Sequence, residues 1–341
     1  MNNFKPILKT ACRLIQPDGQ PSFGLFDGSV ANFNLRDFIY HNLMDKKASA
    51  LSRYFHYKQF QFICITGADW LLAVAIADIR YANSGFAYLY RFDTKQVVSE
   101  GALLPGALGC RMSDSPSKGE AKQSFGGYQV AIKTNPTNWQ LEIDTKQLKA
   151  NLTIEKGQQM PLALCAPTGY NGWTYTEKSN ALKVSGSLQL RAEAVDLTQA
   201  LAGYDFSAGF MRRHTSWRWA SINAQVEGKA FGLNMAAGVN ETGLCENALW
   251  LEGNIQHLSP ASFVFDRKDD KKPWHVSSLC GEVQLEFQPL YSRQEKVNVG
   301  LLASNFRQYV GLYSGFVVLQ NGSRLYLKAI KGLPEDHYAK W

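Results

Sequence analysis

The densest set of chemically capable side chains lies between Tyr204 and Ser221, in YDFSAGFMRRHTSWRWAS. Read as an extended strand from Arg212 onward, alternation puts Thr215, Trp217, Trp219 and Ser221 on one face. Arg212, His214, Ser216 and Arg218 share the other. Two readings follow. In one, the Trp pair fills a core and the basic face meets water. In the other, one face lines a pocket: the indoles stack on a polyene or a sugar, and Arg212 or Arg218 grips a carboxylate or phosphate. Two close arginines with a histidine would be costly to bury without partners, which keeps the pocket reading open. His214 joins them as an anchor or a proton-transfer group.

Carboxylates stand near this strand in the sequence. Asp205 lies at its entry, and Glu246-Asn247 lies on a turn-to-strand segment. Either acid could be the counter-ion of Arg212 or Arg218. Either, if desolvated, could be a general acid with a raised pKa. Spacing alone does not show that they meet. Asn234, in FGLNMAAG, sits opposite Phe231, Leu233 and Met235 and either points into a cavity or is solvated. In GYNGWTYTEK (Gly169–Lys178), Trp173 and Tyr175 share one face, and Thr174, Thr176 and Lys178 the other, as in a rigid interdomain strand. Trp173, Asn234 and Asn247 complete the candidate ligand contacts. The tail GLPEDHYAKW ends on Trp341, expected to dock on the body. His337 reads as a structural hydrogen-bonder rather than a base. The chain carries no GxSxG, HExxH, P-loop or Cys/His nucleophile pattern.

The elements that position these residues follow a period of two. YKQFQFICIT (Tyr57–Thr66), WLLAVAIADI (Trp70–Ile79) and FAYLYRF (Phe86–Phe92) form a meander with Tyr128–Lys133, Asn138–Ile143 and Gln147–Ile154. Leu182–Glu193, His214–Val226, Ala230–Ala237, Ala248–Leu251 and Glu282–Phe287 continue the pattern. Asn321-Gly322 joins Gln308–Leu319 to Arg324–Ile330 as the strongest hairpin signal. Two short helices are predicted, one capped by Asn34 through Leu43 and one over Asp196–Gly203. The first would plug or flank a barrel. Ser113–Ser124 reads as a polar loop. With no βαβ unit and no GxGxxG, a parallel nucleotide-binding sheet is not expected.

Roughly 16 to 20 short strands must dispose of their edges, and closure into two barrels of about eight to ten strands does so. Two sandwiches are the alternative. The fold class is therefore all-β, mainly antiparallel, in two barrel halves with one or two short helices. A texture change near Cys165 suggests domains 1–165 and 166–341.

Composition sets limits. The chain has 341 residues, is 45% hydrophobic and 19% charged, and carries +7. Such values describe a folded globular chain. The basic residues are scattered, and the run Arg267–Lys272 holds two acids of its own, so it reads as a solvated loop and no nucleic-acid partner is expected. The N-terminus, Met1 to Arg13, has no secretory signature, and no run approaches a membrane span, though transient membrane-surface contact remains open. The six cysteines lack CxxC pairing. Reduced thiols, a cytoplasmic location, no metal and no cofactor are expected.

Taken together, GYNGWTYTEK, YDFSAGFMRRHTSWRWAS, GLNMAAGVNETGLCENALW, the single Trp274 before LEFQP and the tail GLPEDHYAKW resemble the DUF2804 family. FHYKQFQFICITGADWLLAVAIADIRYANSGFAYLYRFD resembles it too, so the likeness runs from about Gly24 to Trp341. More remotely, the two-half, Trp-rich pattern is similar to the lipocalin-like group of carotenoid hydratases (hydroxyneurosporene synthases) and tocopherol cyclases. That similarity implies two calycin-like barrels and a hydrophobic ligand, such as a fatty acid or isoprenoid. Cofactor-free hydration, isomerisation or cyclisation would need a neutral carboxylic acid, Asp205 or Glu246, and aromatic walls, Trp217 and Trp219. A carrier without chemistry would instead use Arg212, Arg218 or His214 as head-group anchors. A carbohydrate protein would expose its Trp side chains in a shallow groove. An interaction module would have no cavity and a large exposed apolar patch.

Overall fold

Alternating apolar and polar residues fold as strands almost wherever the sequence predicts them. The computed structural model describes residues 8–10, 12–240 and 243–341. Tyr57–Thr66, Trp70–Asp78, Ala82–Arg91, His214–Val226 and Ala248–Leu251 are strands close to the expected limits. Glu241 and Thr242, within the segment GLNMAAGVNETGLCENALW, lie outside the described residues.

The chain builds two curled, half-barrel sheets. The first has 15 strands along a main path from Val97–Pro105 through Ala82–Arg91, Trp70–Asp78, Tyr57–Thr66, Leu201–Phe210 and Gly172–Leu190 to Leu148–Glu155 and beyond. The second has 9, running from Asn254–His257 through Ala248–Leu251, Lys229–Ala237, His214–Val226, Arg324–Lys340, Ala303–Val318 and Val283–Asn298 to Trp274–Ser278 and Ala261–Val264. Pairing between the described strands is antiparallel apart from Leu8–Lys9 with Gly24–Phe26. The second sheet's nine strands fall within the expected eight to ten, while short strands and the N-terminal segment raise the first to 15.

Each sheet wraps its own core. Trp139, Trp173, Tyr175, Tyr204 and Phe206 fill the first, and the N-terminal segment plugs it with Leu14, Val30, Phe33 and Phe38. Phe33 meets Tyr175 edge-on at a centroid distance of 4.9 Å. Ile222, Leu233, Met235, Trp274, Phe287 and Tyr313 fill the second. All six cysteines are unpaired, with Cys64 and Cys165 buried.

The sheets then pack back to back. Strand Gly172–Leu190 makes the join. A bulge between Ser179 and Leu182, with Ala181 at φ 60°, breaks its register against Leu201–Phe210. There Asn180 enters the second sheet: its Nδ2 lies 2.8 Å from Ser221 Oγ and 3.2 Å from the carbonyls of Ile222 and Leu233. Asn223 Oδ1 accepts from Ala181 N at 2.9 Å. Gly232 makes room, since a Cβ there would stand 2.5 Å from Asn180 Cβ. Non-glycine residues at positive φ carry strain that surrounding contacts must over-determine, and these bonds supply them.

Four local expectations differ from what forms. Asn34 caps only the 3-10 turn Leu35–Asp37, without a side-chain bond, while the α-helix is Ala50–His56, capped by Ser49 Oγ on Ser52 N at 3.1 Å. Asp196 makes an Asx turn to Thr198 N at 2.9 Å, and a strand starts at Leu201, because sheet pairing outweighs local propensity. Half of Ser113–Ser124 is not loop: Gly119–Phe125 pairs with Tyr128–Thr134. Position 165 falls inside the first sheet, on strand Leu162–Thr168, and the chain crosses to the second sheet at residues 211–213.

Asn180→Ala should lower the unfolding free energy by about 2 kcal/mol, since it strands several buried partners. Urea unfolding measures this. An unchanged midpoint would mean that apolar contact alone holds the sheets.

Candidate functional site

Side chains that point away from both cores face one another across the join. There they enclose a cavity of about 370 Å³, open on one side. From Tyr57–Thr66, Tyr57, Ile63 and Ile65 enter the first core, while Phe60 and Phe62 line the cavity. From Gly172–Leu190, Trp173 and Tyr175 go to that core, while Thr174 and Lys178 go to the cavity. From Leu201–Phe210, Tyr204 and Phe206 go inward, while Asp205 and Ser207 go outward. From the second sheet come Thr215, Trp217 and Trp219, while Ala220 and Ile222 enter its core. Every one of these divisions is the period-two alternation of a strand.

The polar floor is built on Lys178, whose side chain is 4% exposed. Its ammonium is hydrogen-bonded to Asp205 Oδ2, its antiparallel register partner, and lies 3.4 Å from Glu246 Oε2. Burial disfavours the ammonium, but the two carboxylates more than offset this, so Lys178 titrates above an ordinary lysine. Burial pushes Glu246 up, against the pull of Lys178. Asn240 Nδ2 donates to Glu246 Oε1 at 3.0 Å.

A third acid stands on the wall formed by strand Arg324–Lys340. Glu335 Oε1 accepts from Trp217 Nε1 at 2.8 Å, and its Oε2 accepts from Gln308 Nε2 at 2.8 Å. Gln308 Oε1 in turn accepts from Tyr88 OH of the first sheet at 2.6 Å. Burial raises Glu335 to about 7, more than its hydrogen bonds lower it. His337, two residues on, also lines the cavity. Its Nε2 is 2.9 Å from Ser304 Oγ, and burial lowers it to about 3, so it is neutral at physiological pH. Asp336 between them points to the sheet's other face, on the side of the second core, held by Arg267 through two bonds of 2.9 Å and by Arg218 at 3.3 Å. This clamp fixes which of the three successive residues face the cavity. Trp341 closes the wall, its Nε1 donating to the Arg212 carbonyl at 2.9 Å.

The sequence candidates are therefore divided. Asp205 and Glu246 meet on Lys178, and Trp217 and Trp219 line the cavity. Asn234 stands behind the wall, accepting from Trp219 Nε1 at 2.7 Å and donating to the Glu246 carbonyl at 2.6 Å. Asn247 bonds backbone at Ala236 N and Ser259 O. Arg218 points away from the cavity, on the face that carries Ala220 and Ile222, and meets Asp336. Arg212 reaches the Gly238 carbonyl at 3.0 Å, and exposed His214 lies 2.9 Å from Tyr338 OH. Trp173 is buried in the first core, among Phe33, Phe38 and Phe210. The run Arg267–Lys272 is the expected exposed loop, from which Arg267 also reaches Asp336.

Sequence reading missed Lys178, Glu335 and Gln308 as site residues. The signals were present in outline: Lys178 shares the Thr174 face, and PEDHY alternates acid, acid, imidazole within what proves to be a strand.

A family model described as a domain of unknown function, DUF2804, matches residues 6–341. No curated protein matches the sequence. Among solved structures, kievitone hydratase from Nectria haematococca is similar, with a TM-score of 0.53 and 12% identity, over 82% of this chain and 88% of that one. At that identity the likeness is one of fold. Among the described residues, no helix is long and apolar enough to cross a membrane.

Lys178→Met would leave buried Glu246 and half-buried Asp205 without their shared cation. The variant should lose about 3–5 kcal/mol of stability at neutral pH. Burial then raises Glu246 without the opposing pull of Lys178, so it takes up a proton more readily folded than unfolded and stability should recover as pH falls. Thermal melts across pH check both the loss and its sign.

Proposed function

The chain belongs to the DUF2804 family, and we propose that it binds a neutral, largely apolar small molecule between its two sheets and protonates it from Glu335. The observation that carries this reading is a buried carboxyl, raised to about 7, set in an aromatic cavity. A carboxylic acid kept neutral near physiological pH can give its proton to an alkene carbon. The resulting carbocation would face the indole and phenyl rings of Trp217, Trp341 and Phe306. Addition of water to the cation forms the carbon–oxygen bond, and the oxonium returns its proton to the Glu335 carboxylate. Loss of a different proton instead would give an isomer, and attack by a second alkene a ring. The hydratase fold of the structural neighbour supports the hydration form.

Cavity charge supports a narrower ligand class. Asp205, Glu246, Glu295 and Glu335 line it with Lys178, whose ammonium is already shared by two of them, and Lys340, which is tied to the Gly300 carbonyl. A ligand carboxylate would meet repulsion there, and Arg212 and Arg218, the expected anchors, point elsewhere. An isoprenoid-like or other neutral molecule fits better than a fatty acid. The Trp side chains sit in an enclosed wall instead of a shallow groove, which weighs against the carbohydrate reading. The presence of a cavity weighs against a purely structural module.

Denaturing extraction of the purified protein, after native mass spectrometry, should release a neutral apolar compound. Farnesol should quench the intrinsic tryptophan fluorescence and bind at least roughly tenfold tighter than farnesoic acid, since a buried unpaired carboxylate is costly. Tighter binding of the acid would overturn the ligand class.

Glu335→Gln should retain ligand and lose turnover. In the wild type, turnover should fall as pH rises through about 7. Folding linkage has the same sign: the folded chain holds a proton that the unfolded glutamate has lost, so stability from this group declines between its ordinary range and about 7. Full activity in the variant would remove Glu335 from the mechanism.

A further inference from the structure

Exposed apolar side chains gather at one rim of the molecule, beside the cavity. The turn between Val283–Asn298 and Ala303–Val318 carries Val299 and Leu301, 67% and 70% exposed. Val299 also lines the cavity, so the turn forms part of its mouth. Arg213 donates to the Leu301 carbonyl at 3.1 Å, and Lys340 to the Gly300 carbonyl at 2.9 Å. Next to Arg213, the Arg212 side chain packs over Gly169. Tyr170 follows, 67% exposed, its hydroxyl 3.2 Å from Asp45. Asp45 sits on the turn that presents Leu43 and Met44, 72% and 77% exposed. Three separate tips are thus linked, by hydrogen bonds and by the packing of Arg212 over Gly169, into one edge.

Single exposed apolar residues are ordinary, but several at the tips of adjoining turns mark an interaction surface. The charge around them selects the partner. Lys46, Lys47, Arg213 and Lys296 are exposed along this edge, and Lys340 is half-buried in it. Asp45, tied to Tyr170, and Glu295, 3.2 Å from Arg293, are its acids. Apolar tips flanked by cations match the interface of an anionic bilayer: the tips enter the acyl boundary while lysine and arginine meet the head groups. The cavity opening beside the same edge gives an apolar ligand a short path out of the bilayer.

We propose that this rim docks reversibly on an anionic lipid surface. The docking surface stands independently of the chemistry at Glu335. A protein that binds vesicles but neither releases nor binds an apolar ligand would uphold the rim and refute the cavity reading.

Co-sedimentation with vesicles tests it, comparing phosphatidylcholine alone with phosphatidylcholine plus phosphatidylserine. The full chain should sediment with the anionic vesicles, and less so at high salt, where the basic residues are screened. Replacing Val299 and Leu301 together by Glu should weaken binding roughly tenfold or more. Both lie on an exposed turn, and a thermal melt confirms folding. Leu43→Glu with Met44→Glu, on a different turn, is the second variant should the first misfold. Failure of the wild type to bind anionic vesicles overturns the proposal, as does wild-type binding by both folded variants. So does a dimer in analytical ultracentrifugation that the variants dissociate without any vesicle binding, since the rim would then join two copies of this chain.

Discussion

The structure turns on one buried cation. Lys178 sits between two sheets, almost without solvent, and an ammonium there is tolerable only when carboxylates meet it. One comes from each half: Asp205 from the neighbouring strand of its own sheet, Glu246 from the segment that enters Ala248–Leu251. The lock therefore fixes how far apart the halves stand and which faces oppose. Two residues along the same face, Asn180 repeats the device with neutral hydrogen bonds, and the backbone bulges at Ala181 to allow it. Charge and amide together give direction to an interface that apolar packing alone would leave free to slide.

The ligand space follows from what the cores already contain. Each curled sheet is filled by its own large aromatic residues, and the N-terminal segment plugs the first. The cavity lies outside both cores, where the backs of the sheets face each other. Its walls are the outward residues of strands whose inward residues make the cores. Core and site are thus written on the same strands in alternate positions, and a register slip of one residue would exchange them.

Glu335 shows how such a wall is aimed. Asp336 is held by arginines on the core side of its sheet, so its neighbours on either side must point into the cavity. Trp217 and Gln308 then hold the carboxylate oxygens, and Tyr88 reaches across from the other sheet to orient Gln308. Desolvation of this carboxyl is a product of the join between sheets and of neither sheet alone. Its proton affinity is therefore a property of the assembled pair.

Local pattern determined much of this by itself. The period of two in Tyr57–Thr66, Gly169–Lys178 and His214–Val226 set strands and faces, because side-chain alternation is a property of extended backbone. It placed Trp217 with Trp219, and Lys178 with Thr174, before any contact was known. It also ranked Arg212, Arg218 and His214 too highly, since alternation separates two faces without saying which one is inside. It gave the segments at Asn34 and Asp196 to helices, where strand pairing and plug contacts won. Only the tertiary structure decided that the aromatic face looks out of its own core and into a cavity, that Asp205 and Glu246 share one lysine, and that a tail glutamate is the desolvated acid. Those facts depend on residues far apart in the chain meeting across two sheets. Desolvation and charge pairing are set by such distances, and spacing along the sequence does not contain them.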